Sequence, residues 1–309
     1  MSHSRDDPGQ GAAFVIKFWE QAATSLSARL FSVGGAALVF WVWAVTVWSI
    51  SRGGWPYLQG VLRPLFEADN ATTLLVALIA LVIVVWTSSI IVERLTVPVL
   101  RLLEGYWPAV VNSLRDRMIR GWRKNLDELS ILPATGSEPS ALTTAQVRVQ
   151  RFPLDEDLMP TRIGNILRGG ERHPTYWYGL DAVIVWPHLW LLLPAQVRGD
   201  LAQARSQLDH AVAAFIWAAI ACGLVLVWPW SVVISAATAW VIWRWWIPNA
   251  AENYATLVIA TFDTHRFDLY DALHYPRPKT PTQEKNLGIA LSRSLWSSLE
   301  TAPPKYAND

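Results

Sequence analysis

Four apolar segments, at 31–51, 72–92, 211–228 and 231–247, constrain this chain more than anything else in its sequence. A helix that crosses a hydrocarbon core needs about 20 apolar residues, with a range of roughly 17–25. The first two segments meet that length without a single charge, and the third and fourth are shorter, the fourth carrying Arg244 near its end. There a long cationic side chain can reach the headgroups while Trp245 and Trp246 sit at the interface. The turn between the last two segments is Trp228, Pro229 and Trp230, which predicts a tight hairpin. The expected architecture is an all-α membrane protein with four transmembrane helices in two hairpins and a mainly helical cytoplasmic domain.

Composition agrees with that reading. The 309 residues are 52% hydrophobic, with a mean hydropathy of +0.22, and the excess is concentrated in the four segments. Tryptophan occurs 19 times, with Trp41, Trp43, Trp48, Trp55, Trp228, Trp230, Trp243, Trp245 and Trp246 in or beside the apolar segments. Indole rings favour the membrane–water interface, so these read as an aromatic belt. The single cysteine, Cys222, excludes a disulfide framework or a Cys-based metal site within one chain.

Orientation follows from the basic residues. Of the 26 Lys and Arg, fourteen fall in 93–209 and six follow residue 247, whereas the loop 52–71 holds two and the second hairpin turn none. The positive-inside bias therefore predicts cytoplasmic termini and a cytoplasmic central segment. The resulting organisation is a cytoplasmic N-terminal segment with a juxtamembrane helix (1–30), a first hairpin (31–92), a cytoplasmic domain (93–209), a second hairpin (210–248) and a cytoplasmic C-terminal helix and tail (249–309).

Helical periodicity extends beyond the spans. Leu58, Val61, Leu62, Leu65 and Phe66 predict a short amphipathic helix in the outer loop. Val197, Leu201, Ala204, Leu208 and Val212 predict a helix running into the third span, and Ala255, Val258, Ile259, Phe262, Leu269 and Leu273 one leaving the fourth. Such rods can carry motion between cytoplasm and membrane. Residues 131–144 read as a Pro/Ser/Thr-rich linker, 147–152 as a short strand, and 180–194 as a strand–turn–helix, because Pro187 would interrupt a helix there.

Arg117, Arg120 and Lys124 form a basic stripe just beyond the second span, the pattern of a surface facing anionic lipid. Nucleic acid is disfavoured as a partner, because 93–209 balances its fourteen basic residues with thirteen acidic ones.

Two clusters are candidate sites. The stretch 161–194 starts as a short helix with Asn165, Arg168 and Arg172 on one arc and Arg162 nearby, and breaks are expected at Gly169-Gly170 and His173-Pro174. Guanidinium forks beside exposed backbone N–H groups can cradle a phosphate or carboxylate. Gly170 and Glu171 stand where a P-loop needs Lys and Ser/Thr, so this is no nucleotide fingerprint, and structural and protein-contact roles for the arginines stay open. On 262–275, His265, Asp268, Asp271 and His274 succeed one another at i, i+3 steps, a spacing that can share a divalent cation between turns. The alternative there is a solvated, hydrogen-bonded helix face. Asp181 and His188 are polar groups in an apolar run, for which structural duties are the ordinary use.

The spans lack mid-depth Asp, Glu, His or Lys, the residues a proton or substrate relay would need. They offer only hydroxyls, such as Thr46, Ser49, Thr87, Ser88, Ser89, Ser231, Ser235 and Thr238. No catalytic constellation or cofactor can be assigned. The first expectation is a non-enzymatic membrane component that senses or scaffolds a cytoplasmic partner or ligand. The second is a homo-oligomeric pore or membrane-disrupting effector gated by the cytoplasmic domain, and a membrane enzyme is third.

The motifs Thr161-Arg162-x-Gly164-Asn165-x-x-Arg168, Tyr178 to Val183 and Trp186 to Pro194, with RLTVPVLRLLEGYW at 94–107, resemble a group of uncharacterised four-span membrane proteins from actinobacteria and other bacteria. That resemblance implies four spans and a bacterial inner-membrane location, and it assigns no site.

Overall fold

The computed structural model describes residues 35–67, 71–131 and 152–296, and among these the regular structure is helical throughout, with no strand. The helices are α1 (Gly35–Ser51), α2 (Trp55–Glu67), α3 (Ala71–Glu104), α4 (Asn112–Ile131), α5 (Arg162–Tyr178), α6 (Ala182–Leu192), α7 (Ala195–Ala221), α8 (Ser231–Val241), α9 (Ile247–Ala272) and α10 (Pro281–Trp296). A 3-10 stretch, Cys222–Leu226, follows α7, and a π-helical turn, Ile242–Trp246, joins α8 to α9. The expected juxtamembrane helix, and the linker and strand apart from their end residues, fall outside the described residues.

The chain divides into two compact units, one from residues up to Thr96 and Ala213–Trp240, the other from Val97–Val212 and Val241 onward. Two helical stretches that each run through both units, Thr72–Glu128, which begins with α3, and Ala195–Leu226, are long and apolar enough to cross a membrane. The pair α1 and α2, bent by 107°, makes a third if it counts as one broken span. Segment 231–247 is helical as expected, but α8 has only eleven residues before the π turn. Only 11% of the apolar window in Thr72–Glu128 is buried, so Leu75, Leu78, Ile79 and Val82 point outward. An apolar exterior of that extent is stable against lipid and costly against water. The few polar side chains here satisfy one another: the indole N–H of Trp41 donates to Ser88 Oγ (3.2 Å) and that of Trp43 to Ser235 Oγ (3.3 Å). Such bonds hold helices together where no water competes.

The amphipathic helix expected in the outer loop is α2, with Leu58 and Leu62 half-buried. The second unit carries a conventional core of Leu180, Val185, Leu189, Leu201, Phe262, Leu269, Tyr270 and Leu291. The stripe Leu201, Ala204, Leu208 and Val212 is buried on α7, as is Ala255, Val258, Phe262 and Leu269 on α9.

Two local expectations are corrected. Residues 180–194 form no strand: Asp181 caps α6 by accepting from the Val183 (3.0 Å) and Ile184 (3.4 Å) amides, and the helix continues through Pro187. Pro187 forfeits only the bond to the Val183 carbonyl, a loss that burial of Val185 and Leu189 outweighs. Nor does the helix of 162–178 break at Gly169-Gly170 or Pro174, all three of which are buried inside an uninterrupted α5. A Cβ on Gly170 would lie 3.0 Å from Ala255 Cβ, so the small residue is what lets α5 and α9 pack closely. The helix ends instead at Gly179, whose left-handed φ of 70° closes the cap, with Leu180 N bonded to Pro174 O (3.2 Å).

Candidate functional site

The second unit gathers the residues expected to carry chemistry. Helix α5 starts where Thr161 caps it, its hydroxyl accepting from Gly164 N (3.0 Å) while donating to the carbonyls of Leu103 (2.7 Å) and Glu104 (3.0 Å) at the end of α3. The N-terminus of one helix is thereby pinned to the C-terminus of another. Asn165 is fully buried and spends both ends of its amide on Met159, accepting from its N (2.7 Å) and donating to its O (2.9 Å). Arg162 reaches across to Glu252 on α9 (2.8 Å).

Arg168 and Arg172 do meet, at a carboxylate of this chain. Asp157, on the 3-10 turn Asp155–Asp157, receives Arg168 Nη2 at 3.0 Å, Arg172 Nε at 3.1 Å and the Tyr176 hydroxyl at 2.6 Å. Arg168 also pairs with Glu171 (3.2 Å). The four residues of the candidate anion site thus have partners within the fold. The cavity beside Arg168, of about 40 Å³ and lined by Glu104, Tyr106, Met159, Gly164, Leu167 and Glu171, has room for roughly a water or two. Sequence reasoning missed Asp157, and its only advance signal was the acidic run 155–157 close to a helix rich in arginine.

Burial disfavours the charged form of Asp157, but the Tyr176 hydrogen bond and the charges of Arg172 and Arg168 outweigh it and hold its carboxyl below the usual range. Burial and the same bond push the Tyr176 hydroxyl up to about 12. A depressed carboxyl contributes stability that is present above the unfolded-chain value and is lost as pH falls through the folded one. Asp157→Asn is therefore expected to cost about 2–3 kcal/mol at pH 7 and to flatten the acid limb below about pH 4. Thermal unfolding of both proteins between pH 3 and 7 checks this, and identical acid limbs would contradict it.

The 262–275 cluster is arranged otherwise than its spacing suggests. His265 Nδ1 contacts Asp268 Oδ2 at 2.8 Å, Asp271 pairs with Arg277 (2.7 Å from Nε), and His274 lies past the end of α9 with a φ of 55°. Among the described residues no group of three or more His, Cys, Asp or Glu converges on a metal position. The neighbouring cluster is the better organised one. Arg266 lies between the rings of Tyr178 (4.3 Å) and Phe267 (4.4 Å) and donates to Glu284 (2.6 Å). Asp263 receives the Tyr178 hydroxyl (2.7 Å) and faces His173 Nε2 (3.4 Å). Burial lowers the His173 imidazole despite Asp263, and burial with the Asp263 bond raises Tyr178 to about 12. Burial thus favours the neutral imidazole at His173, and burial with the Asp263 bond helps Tyr178 keep its proton.

No known family model, curated protein or solved structure matches this chain.

One further feature has the size of a binding site. A groove of about 590 Å³ is walled by Trp186, Trp190, Leu191, Leu201 and Tyr254, with the Arg205 guanidinium 5.8 Å from the Tyr254 ring and paired with Asp209 (3.2 Å). Its volume is within the range of ligand clefts, and its lining is mostly apolar. On the outer side of α6, Val183 and Leu191 are 68% and 77% exposed. Asp181 and His188 do not meet: Asp181 is the cap, and His188 Nδ1 is buried without a partner among the described residues. Arg117, Arg120 and Lys124 stay exposed on α4, whose Trp122 donates to Pro160 O at 3.0 Å from the other side.

Proposed function

We propose that this chain is a four-span bacterial inner-membrane protein with both termini and the second unit in the cytoplasm, and that it acts without catalysis, docking a cytoplasmic protein partner on the second unit. The carrying observation is the exposed apolar side of α6 beside an aromatic groove, on a bundle whose Asp157, Glu252 and Glu284 carboxylates are already bound by its arginines. A bundle that neutralises its own charges offers a partner mainly apolar contact there, and an exposed apolar patch on a folded unit marks an interaction surface. The basic count in 93–209 supports the orientation, and the exposed stripe Arg117, Arg120 and Lys124 would lie against anionic lipid. Helices α3 and α7 each contribute to both units, which makes them the rods along which docking could be felt in the spans.

A pore is less well supported. Thr46, Thr87, Ser89 and Thr238 donate their hydroxyl hydrogens to carbonyls four residues back on their own helices (2.7–2.9 Å), so none of them has a hydrogen left for an anion, and the spans carry no charged lining at mid-depth.

The test is site-specific photo-crosslinking from position 191 in the native membrane, with Leu191→Asp as its companion in co-purification. The expected result is one discrete protein adduct, and about tenfold less co-purified partner with Leu191→Asp. Adducts to lipid alone would contradict the docking reading.

A further inference from the structure

The π-helical turn Ile242–Trp246 sets four consecutive exposed residues between two buried ones. Four consecutive α-helical positions sweep about 300° of the circumference, so at least one of them turns toward the helix's packed side. Here Ile242 and Ile247, five apart and joined by a bond from Ile247 N to Ile242 O, share the buried side at 7% and 0% exposure. The four residues between them, Trp243, Arg244, Trp245 and Trp246, are all exposed.

The cause is in the sequence. Pro248 has no N–H to give the Arg244 carbonyl, and its ring would clash with that carbonyl in a continuous α-helix. A π turn accommodates it, and turns of this kind concentrate at functional positions.

Arg244 differs from the paired arginines of the second unit. Arg162, Arg168, Arg172, Arg205, Arg266 and Arg277 all have carboxylate partners, whereas Arg244, like Arg117, Arg120 and Arg198, has neither a carboxylate nor a hydrogen-bond partner among the described residues, and it alone of these four stands among exposed indoles. An unpaired guanidinium among three exposed indoles has its natural counter-charge in a phosphate at headgroup depth.

Resting on the membrane reading above, we propose that this turn is a lipid-phosphate site: Arg244 binds the phosphate of an anionic phospholipid, and Trp243, Trp245 and Trp246 seat the turn at the interface. The π geometry lets all four face outward while Ile242 and Ile247 both stay buried. A basic side chain near an anionic surface is worth about 1 kcal/mol, equivalent to roughly fivefold in lipid preference.

The experiment uses the full chain in nanodiscs of phosphatidylcholine with a minor fraction of spin-labelled phosphatidylglycerol or spin-labelled phosphatidylcholine. Selectivity for the anionic label is expected to fall about fivefold in Arg244→Gln, to be largely kept in Arg244→Lys, and to fall in Pro248→Ala, which keeps the charge but permits an α-helix. Unchanged selectivity in Arg244→Gln overturns the proposal. Extraction with alkali, run on the same samples, separates the two readings: a chain that washes off the bilayer defeats the membrane assignment, while an integrated chain without Arg244-dependent selectivity defeats only the phosphate site.

Discussion

Gly164→Ala is expected to unfold the second unit or to destabilise it by more than about 4 kcal/mol, an effect at the extreme end for a single methyl group. A Cβ at residue 164 would lie 2.0 Å from the Glu104 carbonyl oxygen, 2.9 Å from its carbon and 2.8 Å from Met159 Cβ. The first two are backbone atoms, held where Thr161 binds the Leu103 and Glu104 carbonyls and Asn165 clamps Met159. No rotamer change relieves the overlap, so α5 must back away from α3 and lose its cap. Gly121 is the matched control, with open space around its built Cβ on the exposed side of α4. Gly121→Ala should be neutral or stabilising by up to about 1 kcal/mol. Thermal unfolding in detergent, followed by limited proteolysis, measures both, and a Gly164→Ala protein as stable as the parent would refute the α3–α5 joint.

Glu284→Ala is the second substitution with a large expected effect, about 3–5 kcal/mol. Glu284 and Arg266 have side chains only 11% and 17% exposed and are bonded at 2.6 Å. Removing the carboxylate strands a guanidinium between Tyr178 and Phe267, and an uncompensated buried charge costs far more than the pair itself contributes. Replacing both partners, as Arg266→Met with Glu284→Leu, should therefore recover most of the loss. A double-mutant cycle on unfolding free energy tests this, and a double variant no better than Glu284→Ala would show that the pair acts through something other than charge.

What could be read in advance was the part governed by periodicity. The stripes on α7 and α9 needed only the 3.6-residue repeat, and Leu201, Leu208, Phe262 and Leu269 are buried as that repeat requires. Residues Arg168 and Arg172 could be placed on one arc, but not their partner. Asp157 lies 11 and 15 residues back, on a turn that only tertiary folding brings under the helix. The two corrected breaks have one origin. Helix propensity prices Gly170, Pro174 and Pro187 in an isolated helix, whereas packing of Gly170 on Ala255 and of α6 into the core decides the outcome here. The irregularity at the end of the fourth apolar segment was not read in advance: its signal is Pro248 just past residue 247, and its form as a π turn depends on keeping both Ile242 and Ile247 buried.

The central claim, a chain threaded through the membrane with its second unit inside, is tested most directly by single-cysteine accessibility in intact cells. With Cys222→Ala as background, cysteines at Gly60, Lys124, Pro229 and His274 are exposed to a membrane-impermeant maleimide before and after lysis. The account predicts immediate labelling of Gly60→Cys and Pro229→Cys, and labelling of Lys124→Cys and His274→Cys only once the cells are opened. Labelling of Lys124→Cys or His274→Cys from outside would contradict it.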